Sequence, residues 1–286
     1  MTSDFIVFII SHGRPDAVKT LHTIQRLGYT GDYRIVLDDL DKTRDQYEKN
    51  FPGKVVVFDK VAIAKTTDNG DNFENYRTTT HARNACFDIA EDLGIEYFLV
   101  LDDDYVQFSY RFDHELKYVS RQTYRLDAIF HEVLEFYKKV PNLKSIALCQ
   151  GGDFIGGPNN SSFGGKITLK RKCMNSFFCS TKRRFKFFSR LNEDVNTYIT
   201  LGSRGDLFFS LNQVILMQMQ TQTTAGGMTE AYLESGTYVK SFYSVMYMPS
   251  AARVKIMATK FSRLHHRINW PTTVPKILRE SVKKKE

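Results

Sequence analysis

The chain has 286 residues, 42% apolar and 25% charged, with a formal net charge of +8. That length suits one large domain or two small ones, and that composition excludes a disordered, collagen-like or low-complexity chain. The charge is unevenly placed: residues 1–143 carry 18 Lys/Arg against 24 Asp/Glu, and residues 144–286 carry 22 against 8.

An acidic first half suits a bound cation, and a basic second half suits a polyanion or simply a solubilising surface. Cys86, Cys149, Cys173 and Cys179 have no CxxC spacing. Neither a zinc site nor a disulfide framework is expected, and a reducing cytoplasm is the expected location.

Phe5–Ile10 reads as a buried strand of a parallel sheet that ends at SHGRP. It is too short to span a membrane and lacks the flanks of a signal peptide, so no membrane is expected as a partner. Pro15 opens a helix with Val18, Leu21 and Ile24 inward and Gly28 as its stop. Strands follow at Arg34–Leu37, before Asp38-Asp39, and at Lys54–Phe58. The polar residues 64–80 read as a mobile loop.

His81–Leu93 reads as a helix and Tyr97–Leu101 as a central strand running into Asp102-Asp103-Asp104. Thr123–Val140 has the clearest helical period, and Pro141 ends it. Ser145–Cys149 is another buried strand, ending in Gly151-Gly152, and Gly156–Gly165 is a flexible loop. Beyond it come strand-like pieces near 166–170, 175–180 and 207–219, and a short helix opening at Asn192-Glu193-Asp194. A helix near 229–243 and a strand near 253–258 close the pattern.

Alternating strands and helices give an α/β fold with a mostly parallel sheet covered on both faces. Ligands of such sheets bind at the carboxyl ends of the strands, where the motifs lie.

Three adjacent carboxylates repel one another unless a cation sits among them, and Mg2+ or Mn2+ with oxygen ligands is the usual answer. In extended chain Asp102 and Asp104 share one side and Asp103 takes the other. A solvated acidic turn is the plain alternative. Arg83 and Asn84, at a helix start, suit a phosphate or a capping role. Ser11, Gly13 and Arg14 offer a tight turn and a donor to a phosphate or nucleoside. Asp38 and Asp39 could accept from a base or ribose, or cap a helix.

Glu193 and Asp194 could supply a general base, or favour the helix dipole. Before them, Lys166–Arg190 holds nine Lys/Arg and no acid, interleaved with Phe177, Phe178, Phe185, Phe187 and Phe188. That mixture suits a nucleic-acid surface through Lys182, Arg183, Arg184, Lys186 and Arg190. Core phenylalanines with a solvated basic face would read the same way. His265-His266 could reach back to the cation or serve structure alone.

The pattern ARNACFDIAEDLGIEYFLVLDDDY, with the later GG and ED pairs, resembles nucleotide-sugar-dependent glycosyltransferases of the GT-A fold. The run GTYVKSFYSVMYMPSAARVKI and RLHHRINWPTTVPKIL resembles the TET-associated glycosyltransferases of bacteriophages, which glycosylate hydroxymethylated pyrimidines in DNA. The resemblance implies a GT-A-type domain over 1–270, with a nucleotide-sugar half at 1–143, a smaller acceptor half at 144–270 and a basic tail at 271–286.

It further implies a UDP-sugar donor and a monomer acting on hydroxymethylated double-stranded DNA in the host cytoplasm. Ser11, Gly13, Arg14 and Asp39 would lie around the nucleotide, Arg83 and Asn84 near its phosphates, and Gly151 and Gly152 in a donor-sugar or acceptor loop. Asp102 and Asp104 would hold Mn2+ or Mg2+, with His265 or His266 completing the site. The extra Asp103 could replace either neighbour. Asp194, or Glu193, would be the base of an inverting transfer to 5-hydroxymethylcytosine. A glycan or protein acceptor and a metal-dependent nuclease or nucleotidyltransferase are the alternatives.

Overall fold

The computed structural model describes residues 4–115, 117–150, 167–168, 175–219, 236, 238–257 and 262–277. The elements are β1 (Phe5–Ile10), α1 (Lys19–Arg26), β2 (Tyr33–Asp38), α2 (Arg44–Asn50), β3 (Val55–Phe58), α3 (Lys60–Lys65) and α4 (Thr80–Asp92). Then come β4 (Tyr97–Asp102), β5 (Tyr105–Phe112), β6 (Tyr118–Gln122), α5 (Leu126–Lys139), β7 (Leu143–Gln150), β8 (Ile167–Thr168) and β9 (Ser176–Ser180). The last are α6 (Glu193–Ser203), β10 (Leu207–Gln218), α7 (Val239–Tyr247), β11 (Ala252–Met257) and β12 (Arg263–Ile268).

The main sheet runs β3-β2-β1-β4-β9-β7-β10-β5-β6, with β8 beside β10. On that path only β9 and β5 oppose the common direction, so the sheet is mixed and mostly parallel, as the strand–helix alternation predicts. Strand β1 is buried on both faces, and alternate residues feed two cores. Val7 and Ile9 pack with α1 and α5, around Leu21, Ile24, Phe130 and Leu134. Ile6, Phe8 and Ile10 pack with α4 and α6, around Cys86, Phe87, Val195 and Ile199. Strands β11 and β12 form a separate antiparallel hairpin. Among the described residues, no helix is long and apolar enough to cross a membrane.

Three expectations are corrected. The helix predicted from Pro15 starts at Lys19, because Ala17 donates to the Arg14 carbonyl and Lys19 to the Ala17 carbonyl in tight turns. Its stop holds: Gly28 has φ 88, and a Cβ there would meet the Tyr124 carbonyl oxygen at 2.6 Å. The segment expected to be a mobile loop begins inside α3 and is pinned further on. Ser189 donates to the Asp68 carbonyl at 2.7 Å, and Arg190 donates to the Asn69 carbonyl at 2.8 Å. The helix expected near 229–243 is α7, with residues 229–235 outside the described residues. The Gly156–Gly165 loop also lies outside them.

Candidate active site

The acidic triplet sits where β4 ends and β5 begins. Thr20, fully buried in the first turn of α1, holds that junction. Its hydroxyl donates to the Asp102 carbonyl at 2.6 Å and accepts from the Tyr105 amide at 2.9 Å. Its own amide donates to the Asp103 carbonyl at 3.0 Å. The backbone of the triplet is therefore fixed from outside it.

The three carboxylates separate. Asp103 accepts from the Ser11 hydroxyl at 2.5 Å and pairs with Arg14 Nη1 at 3.2 Å. Ser11 also bonds the Tyr47 hydroxyl at 2.6 Å, which in turn accepts from the Arg14 amide at 2.9 Å. Ser11, Arg14 and Asp103 thus form one group at the end of β1. Gly13, at φ 68, donates its amide to Asp41 at 2.8 Å and has open space where a side chain would begin.

At the end of β2, Asp38 is buried between His12 Nδ1 at 2.8 Å and Lys60 Nζ at 3.1 Å. These partners, mainly the His12 bond and the Lys60 charge, outweigh burial and hold its carboxyl below the usual range. Asp39 is exposed and accepts from the Lys60 amide at 2.9 Å.

Asp102 turns the other way, to Arg83. This guanidinium is almost wholly buried and bridges Asp102 at 2.8 Å and Glu193 Oε1 at 3.2 Å. It lies over the Phe177 ring, 5.0 Å from the centroid. Arg83 was expected near a phosphate; its observed partners are these two carboxylates, and its Nη1 has no hydrogen-bond partner. Asn84 has a backbone role. It accepts from the Phe187 amide at 2.8 Å and donates to the Phe187 carbonyl at 2.8 Å.

Helix α6 opens at Asn192, held at φ 60, so Glu193 and Asp194 occupy its first turn as the sequence predicts. Glu193 also accepts from the Thr79 hydroxyl at 2.6 Å. Asp194 is buried and accepts from the Val195 amide at 2.7 Å.

Burial, with the charges of Asp104 and Glu193 beside it, pushes Asp102 up to about 7 despite Arg83. Burial and Asp103 push Asp104 up to about 6. The Asp104 Oδ1 atom is buried without a hydrogen-bond partner. Crowded carboxylates that resist ionisation, with an orphaned acceptor, fit a hard divalent cation. Among the described residues, however, no group of three or more His, Cys, Asp and Glu side chains is disposed to hold a metal.

His265 and His266 are the residues expected to complete such a set. Their strand β12 pairs with β11, and His266 Nδ1 lies 3.4 Å from Asn192 Nδ2. His265 Nδ1 lies 2.8 Å from the His266 carbonyl, with the two rings 4.2 Å apart. Gly151 and Gly152 lie outside the described residues.

The cations of the predicted DNA-binding strip meet groups of the same chain. Lys182 pairs with Glu96 at 2.5 Å. Arg183 donates to the Tyr137 and Val140 carbonyls at 2.9 and 3.1 Å, closing the end of α5, and lies over the Tyr137 ring. Arg184 pairs with Asp88 and with Glu91 at 2.8 Å, and Lys186 donates to the Thr66 carbonyl at 3.1 Å. Arg190 is buried on Asp71 at 2.8 Å and Tyr243 at 2.8 Å. Phe177, Phe178 and Phe187 are core residues, Phe185 packs on Phe187 and Phe208, and Phe188 on Tyr247. The reading as core phenylalanines is the one observed.

Thr20, Tyr47, Lys60 and Thr79 belong to this site and had no sequence signal. Each acts on a partner far away in the chain, and none lies in a recognisable motif.

A protein-family model described as TET-Associated Glycosyltransferase matches residues 5–227. No curated protein matches the chain. Similar solved structures include S. aureus TarS, with TM-score 0.40 and 11% identity over 76% of this chain. The chain spans only 37% of that protein. Glucosyl-3-phosphoglycerate synthase from Mycobacterium tuberculosis, in complex with Mg2+ and uridine-diphosphate, has TM-score 0.47 and 6% identity, covering 92% of this chain and 87% of that one. Mannosyltransferase PcManGT from Pyrobaculum calidifontis, in complex with GDP-Man and Mn2+, has TM-score 0.45 and 11% identity, covering 86% and 74%.

Proposed function

The chain belongs to the TET-associated glycosyltransferases, over residues 5–227, and from that premise we propose that it moves a sugar from a UDP-sugar to the hydroxymethyl group of 5-hydroxymethylcytosine in duplex DNA. In this reading residues 1–143 hold the donor and residues 144–270 meet the acceptor. The observation that carries it is the polar cluster at the carboxyl ends of β1 and β4. There Ser11 and Arg14 take Asp103, while Arg83 takes Asp102 and Glu193. In an α/β sheet this edge is where a ligand binds.

Ser11, Gly13, Arg14 and Asp39 border the nucleoside in this reading. Asp102 and Asp104 would hold Mn2+ or Mg2+, which would supply neutralisation of the charge developing on the leaving diphosphate. Asp194 takes the proton of the acceptor hydroxyl. The acceptor oxygen bonds to sugar C1 while the bond from C1 to the diphosphate breaks, so one displacement inverts that carbon. Glu193 is the second candidate; its Oε1 accepts from Thr79 and faces Arg83. The modified base has to leave the duplex stack to present its hydroxyl.

The test is mass spectrometry of nucleosides from hydroxymethylated duplex incubated with protein, Mn2+ and a panel of UDP-sugars. A hexose-sized or similar increment on the modified cytidine supports the reading. An unmodified nucleoside with every donor refutes it. A glycan or protein acceptor is the second reading, favoured by the internal pairing of Lys182, Arg183, Arg184 and Arg190.

A further inference from the structure

The 182–190 cations meet carboxylates and carbonyls of the same chain, and a second basic stretch lies further on. Residues 236–277 hold seven Lys/Arg and no Asp or Glu. This stretch lies beyond the family match, which ends at residue 227, and it forms α7 and the β11–β12 hairpin.

The hairpin register sets Arg253 opposite Arg267 and Lys255 opposite His265. Side chains alternate along a strand, so these four share one face. Arg253, Lys255 and Arg267 are exposed, and among the described residues none of the three has an ion-pair partner. Like charges directly opposite each other destabilise a strand pair. The opposite face carries Ala252 and Ile268, both buried in the core beside α4 and α6. It also carries His266, against Asn192 at the start of α6. Asn192 donates to the Ser244 hydroxyl of α7 at 2.6 Å. The hairpin therefore stands directly on the end of α6 that bears Glu193 and Asp194, with its cations turned outward. Tyr238, Phe242 and Met246 add an exposed stripe along α7, which packs against both hairpin strands.

We propose that the outward face of the β11–β12 hairpin, through Arg253, Lys255 and Arg267, is the surface that seats the phosphate backbone of duplex DNA beside the α6 carboxylates. The occupant follows from charge complementarity. A row of phosphates supplies the counter-charge that this face lacks, at a spacing that several cations can share. Exposed rings next to cations also suit a nucleotide displaced from its stack. The inference rests on the DNA-acceptor reading above and adds its location.

The experiment is binding of a 30-bp duplex at several salt concentrations. Wild type is compared with Arg253→Ser/Lys255→Ser/Arg267→Ser, and with a control triple, Lys42→Ser/Lys49→Ser/Lys139→Ser, that loses the same charge elsewhere. The hairpin triple is expected to lower the log–log salt slope by about 2 to 3, roughly 0.9 for each lost phosphate contact. The control should stay near wild type. Arg253→Lys/Arg267→Lys should retain most affinity, since a phosphate accepts a point charge; this separates lost contact from lost folding.

Equal slopes for the two triples would overturn the proposal. So would wild-type protein that ignores duplex, or that prefers vesicles of phosphatidylserine to it. UDP-sugar hydrolysis distinguishes the two readings. A protein that hydrolyses donor but binds duplex without the hairpin loses only this surface. One that binds duplex through the hairpin and never glycosylates it loses the acceptor reading instead.

Discussion

Lys182–Arg190 and the β11–β12 hairpin are both basic in sequence and opposite in structure. In the first, Arg184 meets Glu91, Arg190 meets Asp71 and Lys182 meets Glu96, all in the acidic first half. In the second, Arg253 faces Arg267 across a strand pair. A cation's sequence neighbours do not set its role; the acids within a few ångströms do. The first region uses its charge to fasten two halves of the chain together. The second leaves its charge facing solvent.

If chemistry belongs to the buried edge and binding to the hairpin, the two can be damaged separately. The largest effect is expected from Asp194→Asn, which should lower kcat by about 10²–10⁴-fold. Duplex affinity and its salt slope should stay as in wild type. A variant with full turnover would move the base elsewhere. Asp104→Asn should cost about 10²–10³-fold, the loss expected when a ligand of a charge-neutralising cation is removed. It too should leave duplex binding intact, measured on the same 30-bp probe.

The fastening region should respond in stability. Arg190→Ala strands Asp71 without its buried partner and should cost about 3 kcal/mol in urea unfolding. Arg183→Ala uncaps α5 and should cost about 1–2 kcal/mol. Neither should alter the salt slope of duplex binding; a slope change in Arg183→Ala would return that residue to the DNA surface and break the contrast.

The smallest effect is in pH. Burial raises Asp102 to about 7 and Asp104 to about 6. The folded chain then binds more protons than the unfolded one between the ordinary carboxylate range and about pH 7. Metal-free stability should fall as pH rises through that window. Mn2+ held by the ionised carboxylates would reverse the trend. Melting temperatures in EDTA and in Mn2+ from pH 5 to 8 measure both; parallel curves would separate the metal from these aspartates.

Much of the scaffold was legible. FIVFII and YFLVL are short apolar runs whose length and β-branched and aromatic content suit a buried strand, and α5 carries an unbroken helical period. The β5–β6 pair was not legible. The burial of Tyr105–Phe112 alternates only in part, so no clean period marks β5. Helices α2 and α3 are too short to carry a period. In the site, Ser11, Arg14 and the acidic triplet announced themselves by residue type. The bridge from Arg83 to Glu193 spans two elements that meet only in the folded sheet, so the spacing of neither motif encodes it. The partners of the basic Phe-rich run were hidden for the same reason: its acids and its core lie far away in the chain.

The grip of Thr20 on the acidic junction has a consequence for parity. Side chains of extended chain face alternately up and down, so sliding the triplet by one residue would exchange the carboxylate that meets Arg83 for the one that meets Ser11 and Arg14. Three adjacent aspartates cannot prevent that slip by themselves, since each offers the same group. Thr20 touches three successive peptide units through one hydroxyl and one amide, and peptide units carry the phase of the alternation. An element from the opposite side of the turn therefore counts the residues that the triplet cannot count itself. Thr20→Val keeps the amide contact and loses both hydroxyl contacts, so it leaves the count resting on one bond instead of three.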